Sequence, residues 1–241
     1  EELTLYTFST ENFNRPDEEV ETLFDLMEKK IDELSGEEED IAHSNRIRVK
    51  AIGETDRLPE KIQNAIEKAE EDTKEYNRYQ LNVAIGYGGR AELLKATREI
   101  MEEVKEGDIE PEEITTRTVS DHIYTAGSND VDLIIRTGGD VRLSNFLPWQ
   151  AKGNESTVYF CAPYWPEFRK IDFLRAIRTF GNRQRERRDR DLSRAVSLLR
   201  RFGVEEFNNI KEMVSRYNPE TLSEKRETNR TKKTNRVSKN D

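Results

Sequence analysis

The chain has 241 residues, 34% apolar and 37% charged, which suits one soluble domain with a sizeable core and makes a second full domain unnecessary. No run approaches the roughly 18 consecutive apolar residues of a membrane span, and Glu1-Glu2-Leu3 lacks the basic and apolar regions of a signal peptide, so a cytoplasmic protein is expected. Cys161 is the single cysteine, which excludes an internal disulfide and a cysteine-rich zinc site, and His43 and His122 make a poor metal cluster. The net charge of −9 hides an asymmetry: residues 169–241 balance at +10, the remainder at −19. The acidic part reads as a solubilising surface of the kind suited to a salty cytoplasm, and the basic part wants an anion or an anionic surface.

In chain order, Leu3 to Phe8 alternates and then turns polar, which predicts a strand ending in a loop. Val20, Leu23, Phe24, Met27, Ile31 and Leu34 recur at helical spacing after Pro16, predicting an amphipathic helix that stops near Gly36, before an acidic loop from Glu37 to Asp40. Ile47 to Gly53 reads as a second strand. Asp56 and Pro59 then introduce a helix whose inner face is Ile62, Ala65, Ile66 and Ala69. Leu81 to Ile85 is a third strand ending in Gly86-Tyr-Gly-Gly89, and Leu93 to Val104 marks the next helix.

After a short helix led by Pro111, the nearly continuous apolar run Val131 to Ile135 predicts a central parallel strand buried on both faces. Val158 to Cys161 is a last strand, Ile171 to about Arg190 a long helix, and Leu192 to about Arg216 another. From Asn218 the apolar pattern disappears, giving a domain over 1–217 and a basic disordered tail over 218–241. Strand and helix in alternation indicate an α/β fold with a mostly parallel central sheet flanked by helices, in which ligands bind beyond the carboxyl ends of the strands.

Two loops follow such strand ends. Arg136-Thr-Gly-Gly-Asp-Val-Arg-Leu-Ser144 packs two arginines, two glycines and a hydroxyl into a short stretch. Glycines let backbone N–H groups close on an anion and arginines grip phosphate oxygens, so phosphate binding stands beside the plainer reading of a tight turn with surface arginines. Ser9 to Pro16 offers Ser, Asn and Arg side chains around an aromatic, although Ser, Thr and Asn ahead of Pro and an acidic turn are also ordinary helix-capping residues, the reading those residues favour by themselves. Glu155 is a carboxylate that could share magnesium with a diphosphate, a weak signal among 49 acidic residues. His43 and His122 read as surface histidines rather than catalytic bases, and Arg183 to Arg188 as a solvated or interface face.

Taken in order, these pieces resemble the cis-prenyltransferase family, whose best known members are the undecaprenyl diphosphate synthases. The resemblance covers about residues 3–190 and rests on LYTFSTENFNRP (5–16), IRVKAIGETDRLP (47–59), LNVAIGYGGRAEL (81–93), DLIIRTGGDVRLSNFLPWQ (132–150) and YWPEF (164–168). The Asp140 version of the fourth stretch and the acidic composition look archaeal.

The resemblance implies an enzyme that condenses isopentenyl diphosphate onto an allylic diphosphate, geranylgeranyl or farnesyl, to give a long-chain polyprenyl diphosphate. It implies that Arg136, Arg142 and Ser144 hold the isopentenyl diphosphate, with Leu143 beside them, and that Glu155 ligates Mg2+. Asn12 would assist proton removal with Ser9 hydrogen-bonding beside it; Phe13 and Arg15 would contact the allylic substrate, with Thr10 and Glu11 in the same substrate loop. Glu19 and the Val20 to Leu34 helix would wall an apolar tunnel for the prenyl chain. A homodimer is implied, with peripheral membrane contact through product or tail as a further expectation. Nucleic-acid binding is not expected, because the basic end carries no interleaved aromatics.

Family members begin with a strand ending in a segment of the type His-Ile-Met-Asp-Gly-Asn-Gly-Arg-Trp, whose Asp holds magnesium, and no such segment occurs in this sequence. A fragment of a longer gene product is the favoured expectation. The alternative is a non-catalytic or partner-dependent diphosphate-binding subunit.

Overall fold

The structure, a computed structural model, describes residues 1–35, 41–151 and 156–201. The expected acidic loop at 37–40, the helix stop at Gly36, the metal ligand Glu155, the end of the last expected helix and the 218–241 tail lie outside the described residues. The chain divides into two units, Glu1–Ala162 and Pro163–Asp241.

In the first unit, strands β1 (Glu2–Ser9), β2 (Ile47–Ile52) and β3 (Tyr79–Tyr87) form a parallel sheet in the order β1-β3-β2. Parallel neighbours need crossovers. Helix α1 (Asp17–Ser35) and the short α2 (Ile41–Asn45) lead from β1 to β2, and α3 (Glu60–Thr73) leads from β2 to β3. Each helix buries the stripe its spacing predicts. Phe24 and Ile31 of α1 and Ile62, Ile66 and Ala69 of α3 pack with Phe8, Val49, Val83 and Ile85 on one face of the sheet. On the other face a smaller cluster joins Ile52, Ala84, Tyr87 and Leu147, with Tyr6, Tyr124 and Phe146 against it.

Strand β3 is the strand buried along nearly its whole length, because it has a neighbour on both sides and a cluster on both faces. That corrects the expectation for Val131 to Ile135. The apolar run there yields β4 (Leu133–Arg136), which among the described residues pairs in parallel only with β5 (Thr157–Phe160) and is mostly half-buried. An apolar run states that a strand meets some cover; it does not state how many neighbours it has.

Between the sheets run α4 (Gly89–Glu106), a 3-10 turn at Pro111–Glu113 and α5 (Thr116–His122). Both histidines differ from the expected surface residues. His43 belongs to α2, is half-buried and has Nδ1 2.8 Å from the Tyr76 hydroxyl. His122 ends α5, with Nδ1 2.8 Å from the Thr118 carbonyl oxygen and Nε2 3.0 Å from Glu103 of α4.

In the second unit a 3-10 turn at Trp165–Glu167 precedes α6 (Lys170–Arg201), and the Trp165 and Phe168 rings stack at 5.9 Å. Asp172 in the first turn accepts the Arg169 N–H at 3.1 Å and pairs with Arg175 at 3.2 Å, which fixes the start of the helix. α6 is continuous through the expected break at 190–192. The charged residues there are compatible with helix, and no proline interrupts it.

Candidate active site

The first candidate loop is built by the end of β1. Two shifts in register between Tyr6 and Ser9 bring Ser9 opposite Tyr87 of β3, and the chain then tightens into a 3-10 turn over Thr10–Asn14. Ser9 caps that turn. Asn12 Oδ1 accepts the Ser9 backbone N–H at 2.7 Å and its hydroxyl at 2.9 Å. The capping bonds of these residues thus close their own 3-10 turn and not helix α1, for which they were expected, and they fix Asn12 in one orientation. With Oδ1 committed, the amide N–H2 is the group Asn12 offers outward.

Phe13 turns inward, edge-on to Phe8 at 5.0 Å and near Phe24, with the Arg57 guanidinium 4.2 Å above its ring. Arg15 is half-exposed and its nearest charge is Glu19 at 3.6 Å. Thr10 lies over the Gly88 backbone, and the Glu11 carboxylate reaches Asn145 at 3.4 Å. Hydrogen bonding to its own backbone N–H, then to Ser9, Asn145 and Thr10, lowers the Glu11 carboxyl below the usual range.

The second loop leaves β4 at Arg136. Gly138 and Gly139 have φ of 86° and 74°, the left-handed region open to glycine, and the Gly139 N–H bonds the Cys161 carbonyl beyond β5 at 2.9 Å. Arg136 Nε is buried and has no acceptor among the described residues. One of its terminal nitrogens lies 3.6 Å from Asp140, which also holds Arg142 at 2.9 Å. Arg142 and Leu143 are exposed, and Ser144 is half-buried in a backbone with φ of 50°.

The two loops meet over the ends of β1 and β3. Tyr6 stacks on Phe146 at 4.7 Å and donates its hydroxyl hydrogen to the Tyr87 carbonyl. Burial and the Glu11 carboxylate push the Tyr6 phenol up, opposed by Ser9 and Arg136, so one side chain feels both loops. Phe13 backs this junction from the α1-side core, beside Phe8 and Gly86, while Arg15 lies at the start of α1 with Glu19. Asn145, Tyr6, Glu92 and Arg57 were not singled out from the sequence. All four do stand inside stretches that carry the resemblance, and that was their only signal as site residues.

An apolar cleft lies between α1, α3 and the sheet, lined by residues including Ile31, Leu34, Ala51, Ile66, Val83 and Ile85. It has room for only ≈ 10 Å³, about one water-sized sphere. Among the described residues, no three or more His, Cys, Asp or Glu side chains gather closely enough to hold a metal ion.

A family model described as putative undecaprenyl diphosphate synthase matches residues 1–188. The tritrans,polycis-undecaprenyl-diphosphate synthase (geranylgeranyl-diphosphate specific) of Haloarcula marismortui is 46% identical over 226 residues, covering 94% of this chain and 74% of the relative. The protein of the same name from Halobacterium salinarum is 50% identical over 205 residues, 85% of this chain and 67% of the relative. Among solved structures, lavandulyl diphosphate synthase from Lavandula x intermedia, in complex with dimethylallyl diphosphate, superposes with a TM-score of 0.70 at 32% identity, covering 74% of this chain and 75% of that one. A probable undecaprenyl diphosphate synthase from Campylobacter jejuni gives 0.64 at 33% identity, covering 74% and 80%. With the strand-end loops resembling the family and the family model spanning most of the sequence, the chain belongs to the undecaprenyl diphosphate synthase family of cis-prenyltransferases.

Proposed function

We propose that the chain condenses isopentenyl diphosphate with an allylic diphosphate to make a long-chain polyprenyl diphosphate, with geranylgeranyl diphosphate favoured over farnesyl diphosphate as starter. The names of the haloarchaeal relatives support the starter. The observation that carries the reading is the buried Arg136 Nε, without an acceptor among the described residues, beside the left-handed Gly138-Gly139 turn. A buried guanidinium N–H left unpaired is costly, and a diphosphate oxygen supplies the missing acceptor. Arg142, held near Arg136 by the shared Asp140, and the Ser144 hydroxyl complete a cradle for one diphosphate, with Leu143 at its rim.

The chemistry follows from charge. The allylic carbon–oxygen bond breaks with its electron pair going to the departing diphosphate, the isopentenyl double bond supplies the pair for the new carbon–carbon bond, and a proton leaves to restore a double bond. Thr10, Glu11 and Arg15 stand at the allylic side, and Phe13 backs that loop. Because Asn12 Oδ1 is held by Ser9, Asn12 assists by orienting a substrate oxygen through its amide N–H2. The proton then goes to a basic oxygen, and the departing diphosphate is one the reaction itself provides.

Glu155 with substrate diphosphate oxygens is the donor set Mg2+ prefers, and Mg2+ bound there would neutralise the leaving group. We propose that the growing chain takes its place by widening the narrow cleft under α1 and α3, favoured because each added isoprene unit transfers hydrocarbon from water at roughly 0.8 kcal/mol per CH₂. We propose a homodimer, supported by the exposed Ile171, Phe173, Leu174 and Ile177 of α6. No helix among the described residues is long and apolar enough to cross a membrane, and we propose a cytoplasmic enzyme with peripheral membrane contact through its product. The relatives are named as synthases, which favours the enzyme over a non-catalytic subunit.

Arg136→Ala tests the reading. Isopentenyl transfer should fall on the order of 10²-fold with the fold intact; unchanged turnover would remove Arg136 from the site.

A further inference from the structure

Helix α4 is capped by a residue 55 positions away from its first turn. Its N-cap position is Gly88, which has no side chain to offer. The Gly89 N–H instead bonds the Asn145 main-chain oxygen at 2.8 Å, and the Arg90 N–H bonds Asn145 Oδ1 at 2.9 Å. The other end of the same amide, Nδ2, donates to Glu11 at 3.4 Å.

The two glycines make room for this. A Cβ on Gly88 would stand 2.6 Å from the Thr10 hydroxyl oxygen and 3.2 Å from Asn145 Nδ2, and one on Gly89 would overlap the Pro148 ring. Gly88-Gly89 is thus a notch into which both substrate loops seat. Ser144, Asn145 and Leu147 all carry positive φ, 50°, 59° and 46°, a strained backbone that persists only where its surroundings fix it. The bonds from Gly89 and Arg90 provide that fixing at Asn145, the middle of the three.

We propose that Asn145 is a positioning residue that couples the two substrate loops. Its acceptors lock Ser144 and the loop from Arg136 onto the start of α4, and its donor holds the Glu11 end of the loop that carries Asn12. The proposal rests on the prenyl-transfer reading for its kinetic consequence, and on the cap geometry for its existence.

Asn145→Asp separates the two halves of the role. It keeps an acceptor for the Arg90 N–H at the positive end of a helix, so the cap survives, but it loses the donor and sets a carboxylate against Glu11. Steady-state transfer should show the KM for both diphosphates raised about tenfold with kcat changed far less, and an unfolding midpoint close to that of the unaltered protein. Adding Glu11→Gln to Asn145→Asp, which returns a donor to the pair, should recover most of that loss in a double-mutant cycle. Unchanged KM in Asn145→Asp, or a Glu11→Gln effect that simply adds, would overturn the coupling.

A folded, unaltered protein that transfers no isopentenyl group contradicts the proposed function alone. Calorimetric binding of inorganic diphosphate then reads the inference. Weakening in Asn145→Asp with recovery in the double variant supports it, and equal binding by all forms overturns it.

Discussion

The Tyr87 hydroxyl donates to the Glu92 carboxylate at 2.5 Å, with both side chains buried at the end of β3 and the start of α4. Glu92 also accepts the Tyr124 backbone N–H at 3.0 Å and Gln150 Nε2 at 3.2 Å on each oxygen. One carboxylate therefore ties the sheet, the segment before β4 and the far end of the loop that follows β4. Burial first, and then Glu92, hold the Tyr87 phenol far above its usual range, so it stays a donor wherever the protein is folded.

Glu92→Ala takes the acceptor from the Tyr87 hydroxyl and the Tyr124 N–H and leaves Gln150 Nε2 only Thr125, and should cost about 2–4 kcal/mol, whereas Tyr87→Phe removes one donor and should cost about 1–2 kcal/mol. Chemical denaturation of the two variants checks the order. Equal, small losses would mean the network is not a structural anchor.

Gly89→Ala drives a methyl group into the Pro148 ring, a covalently stiff neighbour, so the second loop must move. Stability should fall by about 1–3 kcal/mol and transfer should fall with it. Gly88→Ala presses on the Thr10 side chain and should be milder. Melting temperature and turnover measured on both variants decide this.

Ala51 lines the narrow cleft under α1 and α3 from strand β2. Ala51→Leu should shift the products to shorter chains while initial condensation continues, since the filled volume lies where a growing chain would go. Chromatography of the extracted lipids reads the distribution, and an unchanged distribution would place the tunnel elsewhere.

The Thr118 carbonyl first, and then the Glu103 carboxylate, raise the His122 pKa. A raised pKa means that protonated His122 stabilises the fold. That contribution is complete below the unfolded value of about 6.5 and is lost as pH rises through the higher folded value. The effect at this partly exposed pair should be less than about 1 kcal/mol. The unfolding midpoint should decline over that window in the natural protein and stay flatter in His122→Asn.

The apolar stripes of α1 and α3 and the parallel β1, β2 and β3 were readable because each buries a face whose period is written in the sequence. The two loops that meet at the candidate site were readable as loops because Gly, Arg and Asn collect after strand ends. β4 was misjudged because neighbour number is a tertiary property. Asn145 gave no local signal, since its partners are backbone groups at positions 89 and 90 and a carboxylate at position 11. Glu92 looked like one acidic residue of a charged helix. His43 fell beside the acidic stretch, and nothing local announced Tyr76 as its partner.

The most direct test is magnesium-dependent incorporation of labelled isopentenyl diphosphate into butanol-extractable lipid, with geranylgeranyl diphosphate as starter and Arg136→Ala in parallel. A long polyprenyl product from the natural protein, lost in the variant, is the predicted result. No product from a folded natural protein, or equal product from both, would contradict the account.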